Sequence, residues 1–378
     1  MIFILSFLIF LFLIQTYGGI ITDPSRKWSR PIMIYVDQEA NTTEFEEARL
    51  YINTATCVYL KLVDSYESIS NKNGIYVNFN NEDVCGVDNI GKKNYETPNK
   101  IWISRHCAHN FRKILSLLYL TIGVTPEYDR FDRDDYVHIN KDNVKENFYD
   151  TFFKKYDTED IKTYGTMYDY GSLVHDSSRA FSIRRKETIK VIGNYTEHYK
   201  KMIGQRYVTS FNERKLVNLY YCSHMCNGEV TYDCQRSGYQ RPQDCFACIC
   251  PYPFYGRTCT EIRKSDPKCG SQTTINANTN IQLLTFNGNI DCYFTIQAPE
   301  GKRNEITVMS LELRDYSICV RGENNVEIKY KADLGAMGLC LCGSITQSFK
   351  IVSDNRFVFV FYRSTQSNGS FKFGVKAL

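Results

Sequence analysis

Six cysteines crowd the stretch from Cys226 to Cys259, and no other feature limits the possible folds so tightly. So short a segment cannot hold itself together by apolar burial, because below roughly 40 residues a chain usually needs disulfides, a metal or a partner. It must be a stapled module, and it divides the chain into three. The residues before it carry only Cys57, Cys85, Cys107 and Cys222, sparse enough that a hydrophobic core must do most of the stabilising. From Cys269 to Leu378 the density falls again. There the alternating runs EITVMSLEL, NVEIKYKA and FVFVFY read as strands of a β-sandwich.

Fifteen cysteines suit an oxidising compartment, and Asn-x-Ser/Thr sequons at Asn41, Asn194 and Asn368 suit a glycosylating one. The N-terminal MIFILSFLIFLFLIQTYG is too short an apolar block to span a bilayer, which takes roughly 20 residues. It has the length of a signal-peptide core, so residues 1–18 are expected to be a signal peptide and the protein to be secreted. No later segment is long and apolar enough to span a membrane. With 43% hydrophobic residues the 378-residue chain can bury at least one sizeable core. The net charge of +4 comes from interspersed residues, which argues against nucleic acid and against a polybasic membrane patch.

The first domain mixes element types. PIMIYVD and GIYVNFN read as strands, EFEEARLYINTATCVYL has helical spacing of apolar residues, and FRKILSLLYLTIG reads as a buried helix ended by Gly123. An α+β domain is expected.

At RFDRDDYVHINKDNV the chain resembles the astacin-type metalloproteases, in which a helix carrying H-E-x-x-H-x-x-G-x-x-H-E leads into R-x-D-R-D-x-Y-V. KWSRPIMIYVD resembles the family's domain start, YDYGSLVH its Met-turn and TSFNERKLVNLYYC its closing helix. CQRSGYQRPQDCFACICPYPFYGRTC resembles an EGF-like module, and CYFTIQAPEG with NNVEIKYKADL resembles a CUB domain. The resemblance implies an astacin-like (metzincin) α+β domain over 27–222, an EGF-like module over 223–260 and an all-β CUB sandwich over 269–378. That order is similar to the nematode secreted astacins.

The family's chemistry needs three His ligands for Zn²⁺ and a Glu that takes a proton from the zinc-bound water. Counted back from Asp132, the first His falls on Ser116, the Glu on Leu117, the second His on Leu120 and the third His on Pro126. Leucine and proline have no lone pair to offer, and a lone serine is a poor zinc ligand. Sliding the helix by one residue brings Leu115, Ser116 and Tyr119 to His, Glu and His, which restores nothing. In the Met-turn, Val174 stands for Met and Asp176 for the tyrosine that stabilises the transition state, with His175 between them. A carboxylate ionised at neutral pH accepts but cannot donate to an oxyanion. Residues 19–26 are also too few for the family's zinc-blocking pro-segment. His106, His109, His138 and His175 have no known catalytic spacing and are read as ordinary surface or loop histidines.

The run after Gly123 supports the fold as well as the zinc, so it can persist without metal. Asp132, Arg133 and Asp134 suit charge-assisted bonds to neighbouring strands, while Tyr136, Val137 and Ile139 alternate as a core-facing strand would. Glu127 contacts the buried mature N-terminus in active relatives; no processing site that would produce that terminus is evident here. Leu117, Leu120 and Ile122 are expected to fill the former zinc cavity. By resemblance the disulfides are Cys57–Cys222 and Cys85–Cys107, then Cys226–Cys245, Cys234–Cys248 and Cys250–Cys259, then Cys269–Cys292. Cys319 must choose between Cys340 and Cys342; LCG at Cys342 matches the usual CUB closing cysteine, which leaves Cys340 over. Asn324 or Asn325 at the CUB calcium positions implies no calcium.

The leading expectation is therefore a secreted, catalytically inactive astacin homologue without a cofactor, acting on extracellular proteins or matrix by binding. An edge strand at Ile101–Ser104 could still accept a peptide strand, but the favoured reading is that Leu120 and its neighbours close the groove or a loop covers the edge. A second reading keeps it a zinc endopeptidase, through non-standard ligands or an active-site exon missing from this sequence. A third makes it a structural matrix component.

Overall fold

A computed structural model of the chain describes residues 19–70, 74–79, 85–93, 97–322 and 324–378. The expected signal peptide lies outside them. The first domain is built on a five-stranded sheet of β2 (Ile32–Val36), β3 (Leu60–Leu62), β4 (Gly74–Phe79), β5 (Gly86–Val87) and β6 (Asn99–Ile103), preceded by β1 (Ile20–Ile21). The strand order is β3-β2-β4-β6-β5, with all pairs parallel except β5 against β6. The edge expected at Ile101–Ser104 is thus partly covered, because Gly86 and Val87 pair with Trp102 and Ile101.

Helix α1 (Thr43–Ala55) starts where the Thr42 hydroxyl accepts from the Phe45 amide, and Glu44 and Glu46 sit at the positive end of its dipole. Phe45, Ala48 and Ile52 share one buried face, as three- and four-residue spacing dictates. After the short α2 (Arg105–Ala108), α3 (Phe111–Thr121) begins under an Asn110 cap and buries Ile114, Leu115, Leu117 and Leu118. It ends in a Schellman turn: the Gly123 amide donates to the Leu120 carbonyl and the Val124 amide to the Tyr119 carbonyl, both at 3.0 Å. Gly123 has φ +107°, a conformation that L side chains rarely adopt. β1 then crosses this turn, with the Ile21 amide donating to the Gly123 carbonyl and the Thr125 amide to that of Gly19.

The rest of the first domain is mostly irregular. It holds β7 (Val137–Ile139), α4 (Tyr149–Phe152), β8 (Ile161–Lys162), β9 (Ile189–Val191), α5 (Thr196–Lys200) and α6 (Phe211–Tyr221). Cys57–Cys222 ties the residue after α6 back to the end of α1, and Cys85–Cys107 ties the sheet edge to α2.

Two small hairpins follow, β10 (Tyr239–Gln240) with β11 (Cys248–Ile249) and β12 (Phe254–Tyr255) with β13 (Glu261–Ile262). Cys226–Cys245, Cys234–Cys248 and Cys250–Cys259 staple them.

The C-terminal part is a sandwich of two five-stranded sheets. One has the order β14 (Thr274–Asn276), β16 (Ile290–Gln297), β22 (Phe357–Ser364), β18 (Asn325–Lys329) and β19 (Leu339–Leu341). The other has β15 (Gln282–Asn287), β23 (Ser370–Ala377), β17 (Asn304–Glu312) and β20 (Ser344–Ile345), with β21 (Phe349–Val352) also on β17. Cys269–Cys292 and Cys319–Cys342 close it, and Cys340 is a buried thiol.

The sandwich and the first domain share one hydrophobic core, in which Tyr170, Tyr199 and Met202 join Met337, Leu339 and Cys340. Gly171 is required at this junction: a Cβ there would lie 2.6 Å from Met337 Sδ. Asp333 reaches back from the sandwich to accept from the Met167 amide at 2.9 Å and from Asn212 Nδ2 at 3.0 Å.

Candidate functional site

Helix α3 and the turn after it carry the four positions where the resemblance requires zinc chemistry. Ser116 is buried, and its hydroxyl donates to the carbonyl of Lys113 one turn earlier at 2.6 Å. Leu117 lies in the core shared by α3 and the sheet, and Leu120 packs half-buried at its margin. Pro126 is buried beyond the Schellman turn. The shifted register fares no better, since Leu115 and Tyr119 are both fully buried. The Tyr119 hydroxyl has no hydrogen-bond partner among the described residues.

The Met-turn packs beside this helix. Val174 is buried in the same core as Leu117. His175 is wholly enclosed, its Nδ1 2.8 Å from the Asp176 carbonyl and its Nε2 2.7 Å from the Tyr168 hydroxyl. A carbonyl only accepts, so Nδ1 carries the proton, and Nε2 accepts from the tyrosine. Burial pushes the imidazole down to about 4, which keeps it neutral.

Asp176 stands where the resemblance puts the transition-state tyrosine. Its carboxylate accepts from the Tyr128 hydroxyl at 2.8 Å and from Arg206 Nη2 at 2.9 Å. Burial raises its pKa, but the charges of Lys113 and Arg206 and the Tyr128 bond together hold it below the usual carboxylate range. Arg206 is itself fixed by donating Nη1 to the carbonyls of His175 and Gln205. The group therefore consists of two cations, a carboxylate that is consumed as an acceptor and a neutral imidazole with both nitrogens occupied. It can orient and neutralise charge, but it offers no free base to a water molecule.

The charged run after Gly123 folds on itself. Arg130, 1% exposed, makes a bidentate pair with Asp132 at 2.8 and 3.0 Å and reaches Glu127 at 3.1 Å. Arg133 donates Nη1 to the carbonyls of Tyr128 and Phe153, and Lys155 pairs with Asp134 at 2.6 Å. These partners lie in short 3₁₀ turns and loops, not in the strands expected from the sequence. Burial, with Asp169 and Glu213 close by, pushes Glu127 up to about 8 against the pull of Arg130. Asp169, pushed up to about 7 by burial and Glu213, accepts from the Gly171 and Met337 amides. Glu213 accepts from the Ser172 hydroxyl and the Leu173 amide. These acids brace the Met-turn.

Sequence reasoning missed Lys113, Tyr128 and Arg206 as members of the site, whereas Arg130 is the first arginine of the quoted motif. Arg206 lies 30 residues from Asp176, and no local pattern joins them. His106, His109 and His138 are exposed. Among the described residues, only Cys319, Cys340 and Cys342 form a group of three or more His, Cys, Asp or Glu with ligating atoms in mutual reach, and two of them are already a disulfide.

A family model described as Astacin, a peptidase family, matches residues 20–222. Among curated relatives, the zinc metalloproteinase nas-34 of Caenorhabditis elegans is 30% identical over 337 residues, covering 89% of this chain and 53% of that protein. The zinc metalloproteinase dpy-31 of Teladorsagia circumcincta is 28% identical over 360 residues, 91% of this chain and 56% of its own. The chain thus spans little more than half the length of these relatives. Among solved structures, high choriolytic enzyme 1, a hatching-enzyme zinc protease of medaka, aligns with 53% of this chain and 97% of its own at 25% identity and a TM-score of 0.42.

Proposed function

The chain belongs to the astacin family of peptidases, and from that premise we propose that it is a secreted member that has lost catalysis and acts by binding extracellular proteins or matrix. The observation that carries this reading is the donor set. Zinc, when bound in this family, supplies the activated water. Ser116, Leu120 and Pro126 offer it neither imidazole, thiolate nor carboxylate, and Leu117 cannot take the proton. The residues present do not fit the metal. Asp176 reinforces this, because its carboxylate is held by Arg206 and Tyr128 and has no proton to donate to an oxyanion.

Secretion is supported by seven disulfides and by sequons at Asn41, Asn194 and Asn368, all exposed. No helix of the described residues is long and apolar enough to cross a membrane. The EGF-like module and the CUB sandwich supply solvent-facing surface for a protein partner.

The deciding experiment measures metal content of the secreted protein and hydrolysis of a broad peptide library. Substoichiometric zinc and no cleavage are expected. One zinc per chain that survives a mild chelator, together with cleavage, would overturn the proposal in favour of a zinc endopeptidase with unconventional ligands.

A further inference from the structure

A cavity of about 400 Å³ lies at the junction of the astacin-like domain and the CUB sandwich, a volume within the range of small-ligand sites. Its walls are rich in tyrosine. Tyr136 stacks on Tyr168 with ring centroids 4.5 Å apart and Tyr170 on Tyr199 at 4.1 Å, while the hydroxyls of Tyr199 and Tyr330 lie 2.8 Å apart. Asp333, Lys331 and Lys350 add polar groups from the sandwich side.

Asn194 is itself a wall residue, and it begins the sequon Asn194-Tyr195-Thr196. It is exposed, and its side-chain amide makes no hydrogen bond to the described residues. The loop that presents it is held on both sides. Gly193 at φ +81° and Tyr195 at φ +62° make a sharp turn. The Tyr195 hydroxyl is bonded to the Lys350 carbonyl at 2.7 Å, and its ring meets Tyr330 edge-on at 6.0 Å. A group attached to Asn194 therefore leaves the protein at the mouth of the cavity and not on a loose loop.

We propose that the N-glycan of Asn194 docks its first sugars into this cavity and becomes part of the joint between the two domains. The chemistry matches. A pyranose ring presents C–H groups on its faces, which suit the negative faces of tyrosine rings, and hydroxyl and acetamido groups at its edge, which suit carboxylates, ammonium groups and carbonyls. The order of synthesis matches as well: glycan is added to a chain entering the secretory route, and the first domain emerges before the sandwich that closes the cavity. The inference rests on the secretory reading proposed above.

The test uses the full chain secreted from a glycosylating eukaryotic host, with site-resolved mass spectrometry after treatment with a peptide N-glycosidase. In the native protein, release from Asn194 is expected to be at least about tenfold slower than from Asn368, the factor that a docking free energy of about 1.4 kcal/mol gives. After reduction and denaturation the two rates become equal. Tyr330→Ala, which removes part of the wall, should speed native release at Asn194 alone. Release at equal native rates overturns the proposal. So does an unmodified Asn194 beside modified Asn41 and Asn368, which leaves the secretory reading standing. No glycan at any of the three sites overturns the docking proposal as well, whereas retention of the full chain inside the host cell overturns the secretory reading.

Discussion

His175 makes the buried cluster a sensor of acid. Its ring is wholly enclosed, with both nitrogens bonded, and burial lowers its pKa from an ordinary 6.5 to about 4. A base with a folded pKa below its unfolded one takes up its proton more readily when the chain unfolds. Its contribution is therefore complete above about pH 6.5 and is lost as the pH falls toward 4. At 1.36 kcal/mol per unit, lowering the pH from 7 to 4.5 removes about 2–3 kcal/mol of stability through this residue alone. Glu127 and Asp169 act in the opposite sense. Their folded pKa values are raised to about 8 and 7, so they stabilise the fold at low pH and lose that contribution as pH rises. The measurement must therefore isolate His175. We expect His175→Gln to cost stability at pH 7, and the gap from wild type in denaturant unfolding to narrow by about 2–3 kcal/mol at pH 4.5. An equal gap at both pH values would refute the assignment of a buried, neutral imidazole.

Asp176→Asn removes one charge from an ion pair whose side chains are only 26% and 16% exposed, and should cost about 2 kcal/mol at pH 7 in urea unfolding, the scale of a charge-assisted hydrogen bond. Because Asp176 has a lowered pKa, its contribution is present above the unfolded carboxylate value and fades as the pH falls below it; the variant's deficit should shrink in acid accordingly. Breaking Cys57–Cys222 with a double serine variant releases a closure of 165 residues, worth about 5 kcal/mol of chain entropy, and should abolish secretion. Cys340→Ser should be secreted normally, since Asn325 Nδ2 already lies 3.6 Å from that side chain's sulfur. Gly171→Ala forces a Cβ onto Met337 and should lower stability by about 1–3 kcal/mol, with partial rescue by Met337→Ala in a double-mutant cycle.

The elements most legible in the sequence were those whose residues speak locally. Helix α3 follows from its apolar spacing and Gly123, and the strands of the sandwich follow from alternation in NVEIKYKA and FVFVFY. Strand β5 was invisible because two residues, Gly86 and Val87, carry no periodicity, and the edge was therefore placed one strand too far inward. At the site, the sequence offers the residue types at Ser116, Leu117, Leu120 and Pro126. Its present content was not legible, because Lys113, Asp176 and Arg206 meet only after an irregular stretch has folded around them. The contact of Met337 with Gly171 joins residues 166 apart, and no pattern within either domain announces it.

The shared core at that junction fixes the distance between the sheet edge of the first domain and the CUB surface. Any two ligand segments that engage both faces at once must match one span. Their joint affinity would depend sharply on the linker between them, because effective concentration vanishes when a tether cannot reach and declines slowly once it is too long. The molecule would then work as a ruler, selecting among extracellular partners by the spacing of their epitopes.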